Sequence, residues 1–137
     1  MRKLFILIFL FSGLRGFGYS SGEEMVYALM HQDSRVEVFY FHLTRRCATC
    51  KAVENVTRNY VEKRYDDRVK FTALNLDEKE GRIVAEKHGV NGQALIIVSG
   101  DSTTDITGKA FMNALKSPEK LEELIAEIID PLMVPVK

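Results

Sequence analysis

The chain has 137 residues, with 19 basic and 19 acidic side chains, two cysteines and no tryptophan. That length fits one domain, and 46% hydrophobic with 28% charged residues is a globular mixture, not a disordered one. The balanced charge leaves no basic excess to neutralise phosphates, which argues against nucleic-acid binding, and two cysteines suffice for one bridge or half of a structural zinc site.

Arg2 and Lys3 precede an unbroken apolar run over 4–11, followed by small residues at Ser12, Gly13, Gly16, Gly18, Ser20 and Ser21. This is the order of a secretory signal peptide. The run is shorter than the roughly 20 apolar residues that cross a bilayer, which leaves a short membrane anchor as the alternative. Residues 1–20 are therefore expected to be a leader cleaved after Gly18 or Ser20, 21–131 the folded domain and 132–137 a C-terminal tail. Cleavage removes Arg2, Lys3 and Arg15 and leaves a mildly acidic domain with no stable membrane span. Export to the periplasm or beyond places a close cysteine pair where a disulfide persists.

Along the mature chain, 23–31 reads as a short helix with Met25, Val26, Leu29 and Met30 on one side. The β-branched and aromatic run over 36–41 predicts a strand, apolar enough to be central and buried on both faces. A loop follows from His42 to Arg46, then a helix from Cys47 to about Tyr65, with Val53, Val56, Tyr60 and Val61 at helical spacing. Residues 69–76 predict a second strand. Asp77 and Glu80 resemble a capping box opening a helix that reaches His88, with Gly89 as its left-handed stop. The apolar run over 94–98 predicts a buried strand, and 103–107 an antiparallel neighbour across the Ser99-Gly100-Asp101 turn. A helical turn over 111–115 precedes a last helix, which Ser117 caps, Pro118 opens and Pro131 ends. Leu121, Leu124, Ile125, Ile128 and Ile129 form its apolar stripe. The expected order is α-β-α-β-α-β-β-α. Helix-joined strands are expected to be parallel neighbours, so the fold class is α/β with a mixed four-stranded sheet flanked by helices.

The two cysteines stand as Cys47-Ala48-Thr49-Cys50 where a strand passes through a loop into a helix. A helix N-terminus stabilises a thiolate through its free N–H groups and partial positive charge. Two intervening residues bring the second thiol round to the first. Cys47 is thus the candidate nucleophile and Cys50 the resolving thiol. Arg46, Arg45, Lys51 and His42 are candidates to stabilise the thiolate electrostatically. Each has a plainer reading: solvated loop charges for the cations, a local hydrogen bond for His42. His88 suits a helix C-terminus, and Met25, Met30 and Met112 read as core fillers. A permanent structural disulfide and a zinc site completed by His31, His42 or His88 remain open alternatives to a redox pair.

With this element order and CxxC at the strand-to-helix junction, 36–129 resembles a thioredoxin-fold protein. Three stretches, FHLTRRCATC (41–50), NLDEKEG (75–81) and ITGKAFMNAL (106–115), resemble the small exported thioredoxin-like proteins grouped as the nitrophenyl compound nitroreductase subunit ArsF family. The thioredoxin resemblance implies a substrate groove at Gln93 and Ala94. It also implies protein dithiols or disulfides as partners, a redox partner enzyme, and no cofactor beyond a redox-active Cys47–Cys50 disulfide. Nothing in the residues encodes nitroreductase chemistry or a flavin site. The chain departs from ordinary thioredoxins in having Arg46 for the tryptophan before the pair, Ala48-Thr49 for Gly-Pro, Phe41 for a buried acid and Ala94 for the cis-proline. Without proline a cis bond costs about 3 kcal/mol, so the Gln93–Ala94 bond is expected to be trans.

The expected function is exported thiol–disulfide oxidoreductase. Two alternatives stand beside it: a dithiol that binds a soft metal or arsenic(III), and a non-catalytic thioredoxin-fold subunit of a larger enzyme.

Overall fold

Three apolar runs become the three inner and flanking strands of one sheet. The computed structural model describes Val36–Met133; the leader, the 23–31 helix with Met25 and Met30, His31 and residues 134–137 lie outside the described residues. The elements are β1 (Val36–His42), α1 (Ala48–Tyr65), a 3-10 turn (Asp66–Arg68), β2 (Val69–Asn75), α2 (Lys79–Lys87), β3 (Ala94–Ser99), β4 (Ser102–Asp105), α3 (Thr107–Asn113) and α4 (Pro118–Leu132). They form a four-stranded sheet in the order β2-β1-β3-β4. β1 is central, as its apolar run predicts, and its alternation divides the core. Val36, Val38 and Tyr40 pack against α1, α3 and α4 through Val53, Val61, Ala110, Leu121, Ile125 and Ile129. Phe39 and Phe41 point to the opposite face, toward Ala85 of α2. Each fully buried Val or Ile contributes about 1.5–3 kcal/mol by leaving water.

β1 and β2 are parallel, as expected, but β3 runs antiparallel to β1, contrary to the parallel expectation for helix-joined strands. The register supplies the reason. Phe41 lies opposite both Leu74 near the end of β2 and Ala94 at the start of β3. The short α2 and the turn at Gly89, whose φ is +67°, return the chain to the end of the sheet where β2 stopped. From there β3 can only run back down.

Other expectations shift locally. β4 is shorter than the 103–107 run and fully exposed at the sheet edge, because α3 already begins at Thr107. Ala110 and Ala114, one turn apart, face inward, which leaves Met112 on the outer side, 73% exposed and not a core filler. Pro131 lies inside the last turn of α4 and does not end it. Its missing N–H would have bonded the carbonyl of Glu127, an exposed residue whose oxygen water can serve. Ser117 occupies the N-cap position of α4 with no side-chain cap bond, and Pro118 fills the first turn.

The buried stripe of α1 is Cys50, Val53, Thr57, Val61 and Tyr65. Thr57 is fully buried and its hydroxyl has no hydrogen-bond partner among the described residues. Burying an unpaired hydroxyl costs roughly 1–3 kcal/mol on mutational scales. A Thr57→Val substitution keeps the branched shape and removes that cost. The expected gain is about 1 kcal/mol in urea unfolding at pH 7, with no change in denaturant slope.

Candidate functional site at the start of helix α1

β1 ends at His42, and a four-residue loop carries the chain to Cys47. Cys47 has an extended backbone (φ −77°, ψ 171°) and is the N-cap of α1. Its sulfur takes the place usually held by a serine or aspartate oxygen and accepts the backbone N–H of Cys50 at 3.3 Å. Cys47 is exposed and Cys50 is buried one turn deeper, as the spacing predicts, and both are free thiols. The two sulfurs are 2.7 Å apart. The Cys50 thiol is also 3.2 Å from the side-chain oxygen of Gln93, to which it donates. Tyr40 reaches from β1 beneath the helix and donates its hydroxyl proton to the Cys50 carbonyl at 3.0 Å. Burial, followed by the charges of the cysteine pair, pushes the Tyr40 phenol well above its ordinary range, so it remains a donor.

The thiols are pushed in opposite directions. The Cys50 thiol, first, and the backbone N–H groups of the helix start, second, lower the Cys47 pKa. Burial, first, and the hydrogen bond with Cys47, second, raise that of Cys50. The exposed Cys47 sulfur is therefore the easier of the two to deprotonate, and the buried Cys50 sulfur the harder.

Other residues named from sequence lie around this pair in different ways. Arg46 forms an ion pair with Glu54, two turns into the helix, and Glu54 also pairs with Arg58 at 2.6 Å. Arg45 and Lys51 are exposed and form no ion pair among the described residues. His42 is buried, its Nδ1 lies 3.1 Å from the Leu43 carbonyl and its ring packs on Tyr40. Ala94 pairs with Phe41 across the sheet, and the Gln93–Ala94 bond is trans. Phe41 is fully buried in the apolar α2 face and stacks on Phe39, so no carboxylate stands behind Cys50 there. Among the described residues no three His, Cys, Asp or Glu side chains come together to hold a metal. His88 packs on the ring of Phe39.

One part of the site was invisible to pattern reading. Asp77 and Glu80 do not make a capping box: α2 starts from Glu78 with no side-chain cap bond. The Asp77 carboxylate instead accepts the backbone N–H of Thr44 at 2.8 Å, in the loop before Cys47. Asn75 donates to the Thr44 hydroxyl at 2.9 Å and accepts the Asp77 N–H at 3.0 Å. Leu76 N–H bonds the His42 carbonyl at 2.7 Å, and Arg82 holds the Asp77 carbonyl at 2.9 Å. Gly81 lets α2 approach closely, since a Cβ there would lie 2.0 Å from the Asn75 carbonyl oxygen. The 75–81 stretch is thus a clamp on the loop that delivers Cys47.

This arrangement, with a CxxC capping its helix beside the start of an antiparallel strand, belongs to the thioredoxin-like fold. Solved structures agree with that assignment. The crystal structure of oxidised thioredoxin O2 from Arabidopsis thaliana aligns over 79% of this chain and 89% of its own length, at 21% identity and a TM-score of 0.52. The germline-specific thioredoxin Deadhead of Drosophila melanogaster aligns over 77% and 90%, at 18% identity and a TM-score of 0.50. The J-Trx1 fragment of ERdj5 aligns over 82% of this chain and 50% of its own, at 16% identity and a TM-score of 0.53. No protein-family model matches the sequence, and no curated protein matches it.

Two measurements probe the site. Cys50→Ala removes the leading cause of the lowered Cys47 pKa, so the midpoint of the iodoacetamide rate against pH moves up. Arg46→Ala, whose charge is held by Glu54, moves that midpoint less. The second concerns Asp77, which the Thr44 backbone N–H, first, and the Thr44 hydroxyl, second, hold below the usual carboxylate range. A depressed folded pKa gives stability that is present above the unfolded value and lost as pH falls through the folded one. The urea midpoint of the wild type therefore falls faster below about pH 4 than that of Asp77→Asn, which carries no such proton linkage.

Proposed function

We propose that this chain is a thiol–disulfide oxidoreductase acting on protein cystines and dithiols, exported behind a leader at residues 1–20. The observation that carries the reading is the split pair: an exposed Cys47 with a lowered pKa, and a buried Cys50 with a raised one, its sulfur 2.7 Å away. In the reductive direction the Cys47 thiolate attacks one sulfur of a partner disulfide. A Cys47–partner bond forms, the partner's bond breaks and its second sulfur leaves as a thiolate. Cys50 then attacks the Cys47 sulfur, its proton passing to the departing thiolate. The partner gains two electrons and the pair becomes a Cys47–Cys50 disulfide. The pair is itself the redox group, and the oxidative direction is the same path reversed. A reducing enzyme or partner in the export compartment returns the pair to the dithiol.

Gln93 lies beside the buried Cys50 sulfur, where it offers a second acceptor for the proton shared with Cys47, and the partner groove is proposed to run past Gln93, with Ala94 buried behind it. The neutral amide can orient that proton but cannot take it. Its final acceptor is the leaving thiolate. The finer resemblance to the ArsF group, carried by the 41–50, 75–81 and 106–115 stretches, is part of this proposal. The link to nitroreductase chemistry is not carried over with it.

The test is insulin reduction with dithiothreitol, together with trapping. Wild type accelerates insulin precipitation and Cys47→Ser does not. Cys50→Ser accumulates a mixed disulfide through Cys47 that dithiothreitol releases. Failure of wild type to exchange with any disulfide would sink the proposal.

A further inference from the structure

Sequence reasoning gives the cations around Cys47 the task of stabilising its thiolate, but the geometry divides them. Arg46 is held in an ion pair by Glu54, a carboxylate that it shares with Arg58. Hydrogen bonds from Cys50 and the helix start lower the Cys47 pKa. That leaves Arg45 and Lys51, both exposed and both without an acidic partner among the described residues.

Their placement is not diffuse. The Lys51 N–H bonds the Cys47 carbonyl at 3.1 Å, so Lys51 follows Cys47 by one turn and shares its side of the helix. Arg45 precedes Cys47 by two residues, in a loop whose path is fixed at Thr44 by Asp77 and Asn75. The nearby acids are oriented toward other groups: Glu54 pairs with the two arginines, while Asp77 and Glu78 keep their charge but point at Thr44 and Asn75 and form no ion pair with Arg45 or Lys51 among the described residues. Leu43, exposed at the other end of the same loop, adds an apolar contact. An incoming disulfide meets an exposed Cys47 flanked along the chain by two exposed cations, neither in an ion pair among the described residues.

We propose that Arg45 and Lys51 select the partner: the site prefers disulfides flanked by acidic groups, such as a cystine in an acidic peptide segment. This rests on the thiol-exchange reading and adds the charge of the substrate to it. The chemical step is the one already written, with Cys47 bonding to one partner sulfur and the other leaving as a thiolate. Both the approaching ligand and the departing thiolate carry negative charge that the two cations attract. Charged rims of this kind change association rates by ten- to a thousandfold, and the effect fades as salt shortens the Debye length.

The experiment compares second-order rates of the reduced protein with three small disulfides at low salt: anionic glutathione disulfide, neutral hydroxyethyl disulfide and cationic cystamine. Each rate is divided by that of dithiothreitol with the same disulfide, which removes intrinsic reactivity. The expected order is anionic over neutral over cationic, with about tenfold between the ends, collapsing toward unity in 0.5 M salt. In an Arg45→Ser/Lys51→Ser double variant the anionic-to-cationic ratio falls to within about twofold of unity, while the Cys47 pKa from iodoacetamide titration does not move. The proposal is overturned if wild type reacts with all three but shows no charge order. It is overturned equally if the double variant keeps the order, or loses it only as the Cys47 pKa rises, because the cations would then be tuning the thiol. No reaction with any of the three is a different result, and it removes the exchange reading itself.

Discussion

Cys47 caps its own helix. The proposed nucleophile also satisfies a free N–H of the first turn of α1, that of Cys50, through its own sulfur. A thiolate accepts that hydrogen bond better than a thiol, so deprotonation and capping favour one another. The cap also fixes where the sulfur points, because the Cys50 N–H that it accepts belongs to the residue whose thiol it must meet. Everything else near the pair secures the two ends of this arrangement. The 75–81 clamp holds the incoming loop, and Tyr40 holds the first turn of the helix from below.

The antiparallel entry of β3 is the second structural requirement. Had β3 run parallel to β1, its first residues would lie at the far end of the sheet. Because it reverses, Gln93 arrives at the same end as the carboxyl termini of β1 and β2, and its amide oxygen meets the Cys50 thiol. The buried cysteine is thus served by neutral groups, a carboxamide at its sulfur and a phenol at its carbonyl. Phe41, on the opposite face of β1, belongs to the α2 core and contributes nothing ionisable.

What pattern reading could and could not reach follows from the range of the forces involved. The first three strands, the start of α1, the left-handed Gly89 and the Leu121–Ile125–Ile129 stripe are set by neighbours within a turn or two along the chain, and appear where the sequence puts them. The direction of β3 depends on how far α2 carries the chain, which periodicity does not encode. Asp77 followed by Glu80 is a valid local cap signal, yet a backbone N–H contributed by Thr44, 33 residues away in sequence, takes the carboxylate. The reading of Met112 as a core filler fails because composition does not say which side of a short helix meets the sheet; Ala110 and Ala114, one turn apart, take that side and leave Met112 outside. At the site itself, the identity and order of the two thiols were legible. The partners of Arg46 and Gln93 were not, since each depends on a tertiary approach.

The clamp between 75–81 and the loop before Cys47 has a consequence for how such a chain can change over generations. Thr44, Asn75, Asp77 and Gly81 constrain one another through hydrogen bonds and one very close backbone approach. A substitution at any one leaves the others holding donors or acceptors that no longer meet. These four positions are therefore expected to be inherited as a block, drifting together or not at all. Arg45, placed next to Thr44 but outside the network, is free to vary with whatever partner the protein serves.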